Sequence, residues 1–566
     1  MAPLSRLALL CLFSVVVNAA PASTGRVHPA ASAIPSTWKK GNPAPVSASI
    51  SFDLIFAPKD APGLEARMLE IAGSKSAWLT EEEIASYIVP SDANKAVVEA
   101  ALKGIGATGL TYSRNGDTLS VTSNIDQASK FFNAQFYEYT NTEVVGTFYK
   151  TTEFTVPASI EAQIADISSF ATFASVQHFS SISGPTDKRR GELEKRVTPS
   201  GCTTSAVTPD CVRSLYGYDT YTPTTSTGTP RLGIMGLIGQ GFLESDIAAF
   251  LSIFRSDDAA EYTVPVVTIA GAVNSDPLGE ATLDTEIAAG IIYPLPSTFY
   301  DYGTAGTTGD LFLLSFQYFL SLAPSARPTV LSISYGSVET IFTTSQAQSM
   351  CTAAQQLTAA GMTIVVSSGD NGVSGFGTTC PSFTPTYPSG CPYILSVGAT
   401  QDFSPEVMAN ASLAGFYSGA GFSTLFPTPS YQTSVVATYE SELGSTDSGF
   451  YNKAGRAFPD ISAQGSHQQV VYEDAVRFVD GTSASAVVVA GGLTLLNDIL
   501  ITAGKATIGW ANPTFYANPD AFTDVTSGGS FFCGTTSDGL PAKTGWDASA
   551  GLGTPSLVKL RSVYGA

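Results

Sequence analysis

Histidine is nearly missing from this chain: His28, His178 and His467 are the only three in 566 residues. A Ser–His–Asp hydrolase needs an imidazole within reach of its hydroxyl, so this shortage leaves that chemistry little to work with. Charged side chains are also sparse, at 13%, and basic ones most of all, 28 against 48 acidic. The formal charge of −20 argues against nucleic acid and anionic membranes as partners and suits an acidic medium, where protonation relieves self-repulsion. No CxxC pair suggests zinc. Beyond the N-terminal stretch, no run reads as long and apolar enough for a membrane helix. What is abundant is apolar: 44% hydrophobic residues over this length predict a globular protein of two or more domains.

Residues 1–19 read as a secretory signal, with Arg6 as its positive charge, Leu7 to Val17 as its apolar core and Val17-Asn18-Ala19 as its small-residue cleavage site. A soluble protein outside the cytosol is expected. Cys11 leaves with that segment. Six cysteines remain, Cys202, Cys211, Cys351, Cys380, Cys391 and Cys533, an even count that favours disulfides in a secreted chain. Asn410-Ala411-Ser412 is a glycosylation sequon.

Residues 20 to about 47 are rich in Pro, Ala and Ser and read as an unstructured lead-in. From Ser49 onward, strands and helices interleave around a hairpin signal at Arg114-Asn115-Gly116-Asp117, which predicts a small α+β domain over about 48–180. A charged linker, 181–196, ends in the dibasic pair Lys195-Arg196, a processing site that would make 20–196 a propeptide. From 197 to 566, apolar strands (Leu232 to Leu237, Val264 to Ala270, Thr329 to Ser334, Thr363 to Ser367, Ile394 to Val397) alternate with helical patterns. That alternation predicts an α/β domain with a mostly parallel sheet covered on both faces.

Four residues in this second region carry chemistry as a set. Gly481-Thr482-Ser483 opens a small-residue helix after a short strand, which exposes Ser483 at a turn where a helix N-terminus favours negative charge. Taken alone, Ser483 would read as an ordinary N-cap. Glu280 and Asp284 are four residues apart and share a helix face, so one carboxylate can take a proton while the other holds it in place. Glu286 lies on another face and is set aside. Asp370, in Ser367-Ser368-Gly369-Asp370, follows a buried strand and stands at the carboxyl end of the sheet, where open α/β folds bind ligands. His28 and His178 fall in the propeptide and His467 lacks a triad context, so carboxylates are left as the base. Towards the C-terminus, two polar loops at 522–525 and 543–547 bring two carboxylates and several carbonyls, hard oxygen ligands that suit calcium.

With Glu280-x-x-x-Asp284, Ser367-Ser368-Gly369-Asp370, Arg456-x-x-Pro459-Asp460-Ile461-Ser462-Ala463 and Gly481-Thr482-Ser483-Ala484-Ser485 in this order, the chain resembles the sedolisins, the serine-carboxyl peptidases, in their tripeptidyl-peptidase-like branch. The resemblance spans nearly the whole precursor. It implies a subtilisin-like catalytic domain behind a ferredoxin-like prodomain. It further implies Ser483 as nucleophile, Glu280 as general base and acid, Asp284 as its partner and Asp370 in the oxyanion hole. One structural calcium ion would bind the side chains of Asp524 and Asp547 and the carbonyls of Val525, Lys543 and Gly545. Cys380 would pair with Cys533, proximity favours Cys202–Cys211, and Cys351–Cys391 remains. The family's proline after GTSxS is replaced here by Ala486-Val487-Val488. The expected protein is a secreted, monomeric, acid-acting peptidase whose partners are peptide or protein substrates and its own propeptide. Tripeptide release from free N-termini is the first expectation, endopeptidase action the alternative, and a non-catalytic peptide-binding relic a remote third.

Overall fold

The computed structural model describes residues 25, 27–29, 34–142, 146–173, 176–183, 202–223, 231–255, 262–270, 272, 279–303, 310–375, 382–412, 414–531 and 539–566. Its N-terminal domain is built on a four-stranded antiparallel sheet, ordered Thr108–Tyr112, Thr118–Asn124, Ser49–Phe56, Ile164–Ser168. Helices follow the first and third strands in chain order, so the topology is the expected ferredoxin-like one. Local chemistry sets its helix starts: Thr80 and Glu83 form a capping box before Glu81–Ile88, and Asn124 and Gln127 form another before Ile125–Phe131. A core of Phe52, Leu54, Leu119, Val121, Phe132 and Phe170 packs between sheet and helices.

The expectation of an unstructured lead-in over residues 20 to about 47 needs correcting. Trp38–Pro43 pairs with Tyr137–Asn141, and Val27–Pro29 pairs with Glu153–Thr155. The reason is Trp38, which is buried edge-on against Phe148 and Phe173 and anchors a segment whose composition reads as loop.

The second domain carries the predicted parallel sheet. In spatial order its strands are Val266–Ile269, Ser297–Tyr302, Leu232–Leu237, Val330–Ile333, Thr363–Ser367 and Leu395–Gln401; the last also pairs with Ile461–Gln464 in parallel and with the short antiparallel Val407–Met408. Ser297–Tyr302 escapes a search for apolar runs because Ser297, Thr298 and Asp301 interrupt it, yet all six residues are buried. Helices Gly279–Ile292 and Thr482–Thr502 share one core, and Leu311–Ser321 and Thr344–Ala359 share another, so both faces are covered.

Thr482–Thr502 corrects a second expectation. With a mean hydropathy of 1.8 over an 18-residue window, it is long and apolar enough to cross a membrane by length and composition, yet 94% of that window is buried inside the domain. It reads as apolar because it is the central core helix of the fold, touched on several sides by Gly279–Ile292 and the sheet strands. The family's missing proline leaves no break: the helix runs 21 residues through Ala486-Val487-Val488. Disulfides join Cys202 to Cys211 and Cys351 to Cys391, as expected. The expected Cys380–Cys533 pair, the signal segment and residues 184–196 of the expected 181–196 linker lie outside the described residues, whereas Ser181–Ser183 of that linker is a strand.

Candidate active site

Two helices that begin side by side position the key groups. Glu280 lies in the first turn of Gly279–Ile292, and Ser483 lies in the first turn of Thr482–Thr502. The helices pack closely enough that a side chain at Gly491 would press on Ile291. The N-cap of the second helix is Gly481, with no side-chain capping bond, so Ser483 is not the cap. Gly481 has a φ of 149°, and a Cβ there would run into the Phe179 carbonyl and lie 2.8 Å from Asp370 Oδ2. Only glycine fits between these groups.

Glu280 and Asp284 are each 1% exposed on a helix that is buried all round, so the pair is not a solvated face. Asp284 Oδ1 accepts the Ser334 hydroxyl at 2.7 Å. Burial first, and the charge of Glu280 second, hold the Asp284 carboxyl far above the ordinary carboxylate range. Glu280 Oε1 is buried without a hydrogen-bond partner among the described residues. Glu286 points elsewhere: its Oε2 accepts the Val471 N–H at 2.6 Å, which ties the helix to the strand Gln468–Tyr472.

Asp370 stands just past the carboxyl end of Thr363–Ser367, as its sequence context predicts. Its Oδ1 accepts both the N–H and the hydroxyl of Thr482 at 2.8 Å, which leaves Oδ2 on the side of Gly481. Burial pushes this carboxyl up to about 8, against the pull of the two Thr482 bonds. Asp370 therefore carries a proton at acidic pH and can donate a hydrogen bond.

What fills the centre of the site is the chain's own segment 177–183, which follows the N-terminal domain. Gln177–His178 pairs antiparallel with Tyr335–Val338, and Ser181–Ser183 pairs with Ala475–Asp480. Between these pairings, the Phe179 N–H donates to the Ser334 carbonyl at 3.3 Å, and the Phe179 carbonyl accepts the Ser483 N–H at 3.2 Å. The next residue, Ser180, donates its hydroxyl to Glu280 Oε2. His178 Nδ1 lies 3.4 Å from the same oxygen, and the hydrogen bond to Glu280 holds the imidazole above its usual range. Ser483 meanwhile donates its own hydroxyl to the Ser334 carbonyl at 3.3 Å. In this state the hydroxyl on Glu280 belongs to Ser180 and not to Ser483.

The structure thus brings Glu280, Asp284, Asp370 and Ser483 around one peptide unit, Phe179–Ser180. It also shows what the sequence argument missed. Ser334 links Asp284 to Ser483; its place just past the strand Val330–Ile333, at the sheet's carboxyl end, is the signal that could have found it. Thr482 orients Asp370. Setting His178 aside with the propeptide also needs correcting for the unprocessed chain, because the antiparallel pairing carries it onto Glu280. No local signal marks residues 177–180.

In the C-terminal loops, Asp547 is buried and its carboxyl is pushed up to about 7 by burial. Its oxygens accept N–H groups from Lys543 at 2.9 Å and from Ser549 and Ala550 at 2.8 Å, while Asp524 accepts that of Gly545 at 2.8 Å. Among the described residues, no hydrogen bond uses the carbonyls of Val525, Lys543 or Gly545, and no group of three or more His, Cys, Asp or Glu side chains is arranged to hold a metal ion. A donor set of two carboxylates and three uncommitted carbonyls fits a hard cation.

Comparison with known proteins bears on this geometry. Residues 36–173 match the Pro-kumamolisin activation domain, and residues 298–503 match the subtilase family, a span that includes Asp370 and Ser483 but not Glu280 or Asp284. Tripeptidyl-peptidase sed4 of Aspergillus fumigatus is 30% identical, over 94% of this chain and 95% of that protein. The chain belongs to the sedolisin family. It is a serine-type peptidase with an N-terminal activation domain on a subtilisin-like fold. Another sedolisin relative, Tripeptidyl-peptidase SED2 of Arthroderma otae, is 29% identical over 98% of this chain and 99% of that one. Among solved structures, Pseudomonas sedolisin complexed with two molecules of pseudo-iodotyrostatin covers 64% of this chain and 98% of its own, at 20% identity and a TM-score of 0.48.

Proposed function

We propose that this sedolisin is a secreted, acid-acting peptidase that releases tripeptides from free N-termini. Ser483 attacks the substrate carbonyl carbon and passes its proton to Glu280, while Asp284 holds Glu280 in place. The oxyanion takes hydrogen bonds from the Ser483 N–H and from protonated Asp370. Glu280 then returns the proton to the departing amine, and water repeats the cycle on the acyl-enzyme. The observation that carries this reading is the Phe179 carbonyl on the Ser483 N–H at 3.2 Å, with the following residue's hydroxyl on Glu280. A substrate at this site would use the same contacts. Acid action follows from the Asp370 carboxyl, which donates only while protonated. Tripeptide release draws support from the relatives, which are named as tripeptidyl-peptidases.

One observation favours endopeptidase action as a second reading: the seated segment continues upstream of Gln177, the third residue before the Phe179–Ser180 bond, through Val176. Digestion of a long unblocked peptide and its N-acetylated twin at about pH 4, read by mass spectrometry, separates the two. Tripeptides from the free peptide alone support the first, and internal fragments from both support the second. No product from either peptide overturns both.

Asp524 and Asp547 would hold one calcium ion with the carbonyls of Val525, Lys543 and Gly545. When bound, the ion would cross-link two C-terminal loops without touching the reacting atoms. Secretion rests on the signal-like residues 1–19, and Asn410 would carry a glycan on an exposed turn at Ala411 and Ser412.

A further inference from the structure

Glu286 takes no part in the chemistry, yet it is 0% exposed and its Oε1 has no hydrogen-bond partner among the described residues. Its other oxygen holds the hairpin formed by Gln468–Tyr472 and Ala475–Asp480. Gln468–Tyr472 is the outer strand of its sheet, so its outward N–H groups need acceptors once the strand is buried. Three successive ones find them. The Gln469 N–H donates to the Val207 carbonyl at 2.9 Å, the Val471 N–H to Glu286 Oε2 at 2.6 Å and the Glu473 N–H to Asp246 Oδ2 at 2.8 Å. Asp246 Oδ1 also accepts the Asp474 N–H at 3.3 Å. Glu473 and Asp474 form the turn of the hairpin, with φ of 50° and 61°. That left-handed backbone is uncommon outside glycine, asparagine and aspartate, and Asp246 holds both of its N–H groups. Asp246 is 1% exposed and lies on Glu244–Phe254, while Glu286 lies on Gly279–Ile292, the helix that begins with Glu280. Burial, against the pull of the Val471 N–H, holds the Glu286 carboxyl far above the ordinary carboxylate range, so it is neutral at acidic pH.

The other edge of this hairpin receives the seated segment on the amine side of the Phe179–Ser180 bond. Ser181, Ile182 and Ser183 pair there with Asp480, Val479 and Phe478. We propose that Glu286 and Asp246 are positioning residues for the leaving-group side of the substrate: two buried carboxyls on two helices seat the hairpin whose free edge binds the residues beyond the cleaved bond. The inference rests on Ser483 as the nucleophile and adds what fixes the strand on the departing side. Neither carboxyl touches the seated segment. The turn that carries the nucleophile is fastened separately, by the Gly481 N–H on the Gly465 carbonyl at 2.9 Å and by Thr482 on Asp370. Loosening the hairpin therefore weakens the hold on leaving-group residues and spares the attack on the carbonyl.

The test uses the processed enzyme and a substrate series, each member free and N-acetylated: Gln-His-Phe with a fluorogenic amide as leaving group, Gln-His-Phe-Ser, and Gln-His-Phe-Ser-Ser-Ile-Ser, the sequence of residues 177–183. Cleavage after Phe is read as kcat and KM. Glu286→Leu keeps the bulk of the side chain and loses the acceptor. It is expected to lower kcat/KM for the longest peptide roughly 10- to 100-fold, mainly through KM, and to leave the fluorogenic amide nearly unchanged. Glu286→Gln keeps an oxygen for the Val471 N–H and the neutral state, and is expected to restore the longest peptide to near the wild-type value. A loss shared equally by the amide and the longest peptide, or Glu286→Gln as impaired as Glu286→Leu, would overturn the proposal. If Glu286→Leu does not fold, Asp246→Ala, which frees the hairpin tip, decides by the same ratio. Digestion of other peptides with no cut after Phe in this series also overturns it and leaves the peptidase reading standing. No hydrolysis of any peptide sinks that reading itself.

Discussion

In the proposed mechanism, Asp370 is the residue whose proton decides what the site can do. An ionised Asp370 would face the developing oxyanion with like charge, and a protonated one donates to it. Its carboxyl, raised to about 8 with the Phe179 segment seated, is protonated throughout the acidic range. Removal of that segment admits water and lowers the value, so the processed enzyme should lose activity at a lower pH than the precursor value suggests. Asp370→Asn keeps a donor at every pH. Turnover measured against pH should show the alkaline limb moved upward in Asp370→Asn. Asp370→Ala should lose on the order of 10²–10³ in turnover. Equal impairment with an unmoved limb would remove Asp370 from the oxyanion role. Ser483→Ala and Glu280→Ala should each abolish turnover, and the double variant should be little worse than either, because members of one catalytic unit are not additive. Full activity in folded, purified Ser483→Ala would end the assignment.

At the scale of elements, the N-terminal domain is held to the catalytic domain by contacts far from the cleft. The Trp78 indole donates to the Thr507 carbonyl at 2.9 Å, and its ring lies where side chains at Gly361 and Gly509 would be. Glu81, in the first turn of Glu81–Ile88, pairs with Arg327 at 2.7 Å and Arg114 at 3.0 Å. Burial raises the Glu81 carboxyl, but the bonds and charges of Arg114 and Arg327 outweigh it and hold the group below its ordinary range. A depressed carboxylate contributes stability above its unfolded value, near 4.3, and loses it as pH falls through the folded value. Acid therefore loosens this clasp. Glu81→Gln precursor should be processed at higher pH than wild type, read as the rate of appearance of the mature band against pH. Trp78→Ala should weaken docking by about 2 kcal/mol or more and speed processing at every pH. Unchanged profiles in both variants would locate the restraint elsewhere.

For the molecule as a whole, several buried carboxyls shift the same way. Burial raises Asp166 to about 7, Asp301 and Asp310 to about 6 and Asp370 to about 8. A raised carboxyl costs nothing while both states are protonated and destabilises the fold as pH climbs from the unfolded value through the folded one. The window is therefore about pH 4 to 8, and the growing negative charge acts in the same direction. The melting temperature of Ser483→Ala precursor, which cannot digest itself, should fall across that window. A rise would show that the ion pairs dominate instead. Chelator should lower the melting temperature of the processed enzyme, because an ion bound only by the native state stabilises it by mass action. No metal by elemental analysis and an unmoved transition would remove the calcium site. N-terminal sequencing of secreted material should find a start at or near Val197, and a start well before residue 180 would refute the boundary.

Much of this protein is determined by local pattern. The strands Ser49–Phe56, Leu232–Leu237 and Thr363–Ser367 and the helix Glu244–Phe254 are readable to the residue, because apolar runs bounded by turns have one favourable conformation. Glu280, Asp284, Asp370 and Ser483 are legible as well, because each lies in a short motif at an element's end. Ser297–Tyr302 and Trp38–Pro43 are not: the first is buried throughout despite a mixed composition, and the second is exposed except for Trp38 and is held by that one anchor and by pairing with Tyr137–Asn141. Nor does any local signal reveal that Phe179 lies between Gly336 and Ser483. That juxtaposition joins residues more than 150 and 300 positions apart (179, 336 and 483), and it exists only because two different sheets lend pairings to one crossing segment. The sequence by itself marked which residues are candidates for the chemistry. Tertiary structure decided which peptide bond is presented to them, since hydrogen bonds and shape complementarity between distant elements have no counterpart in local propensity.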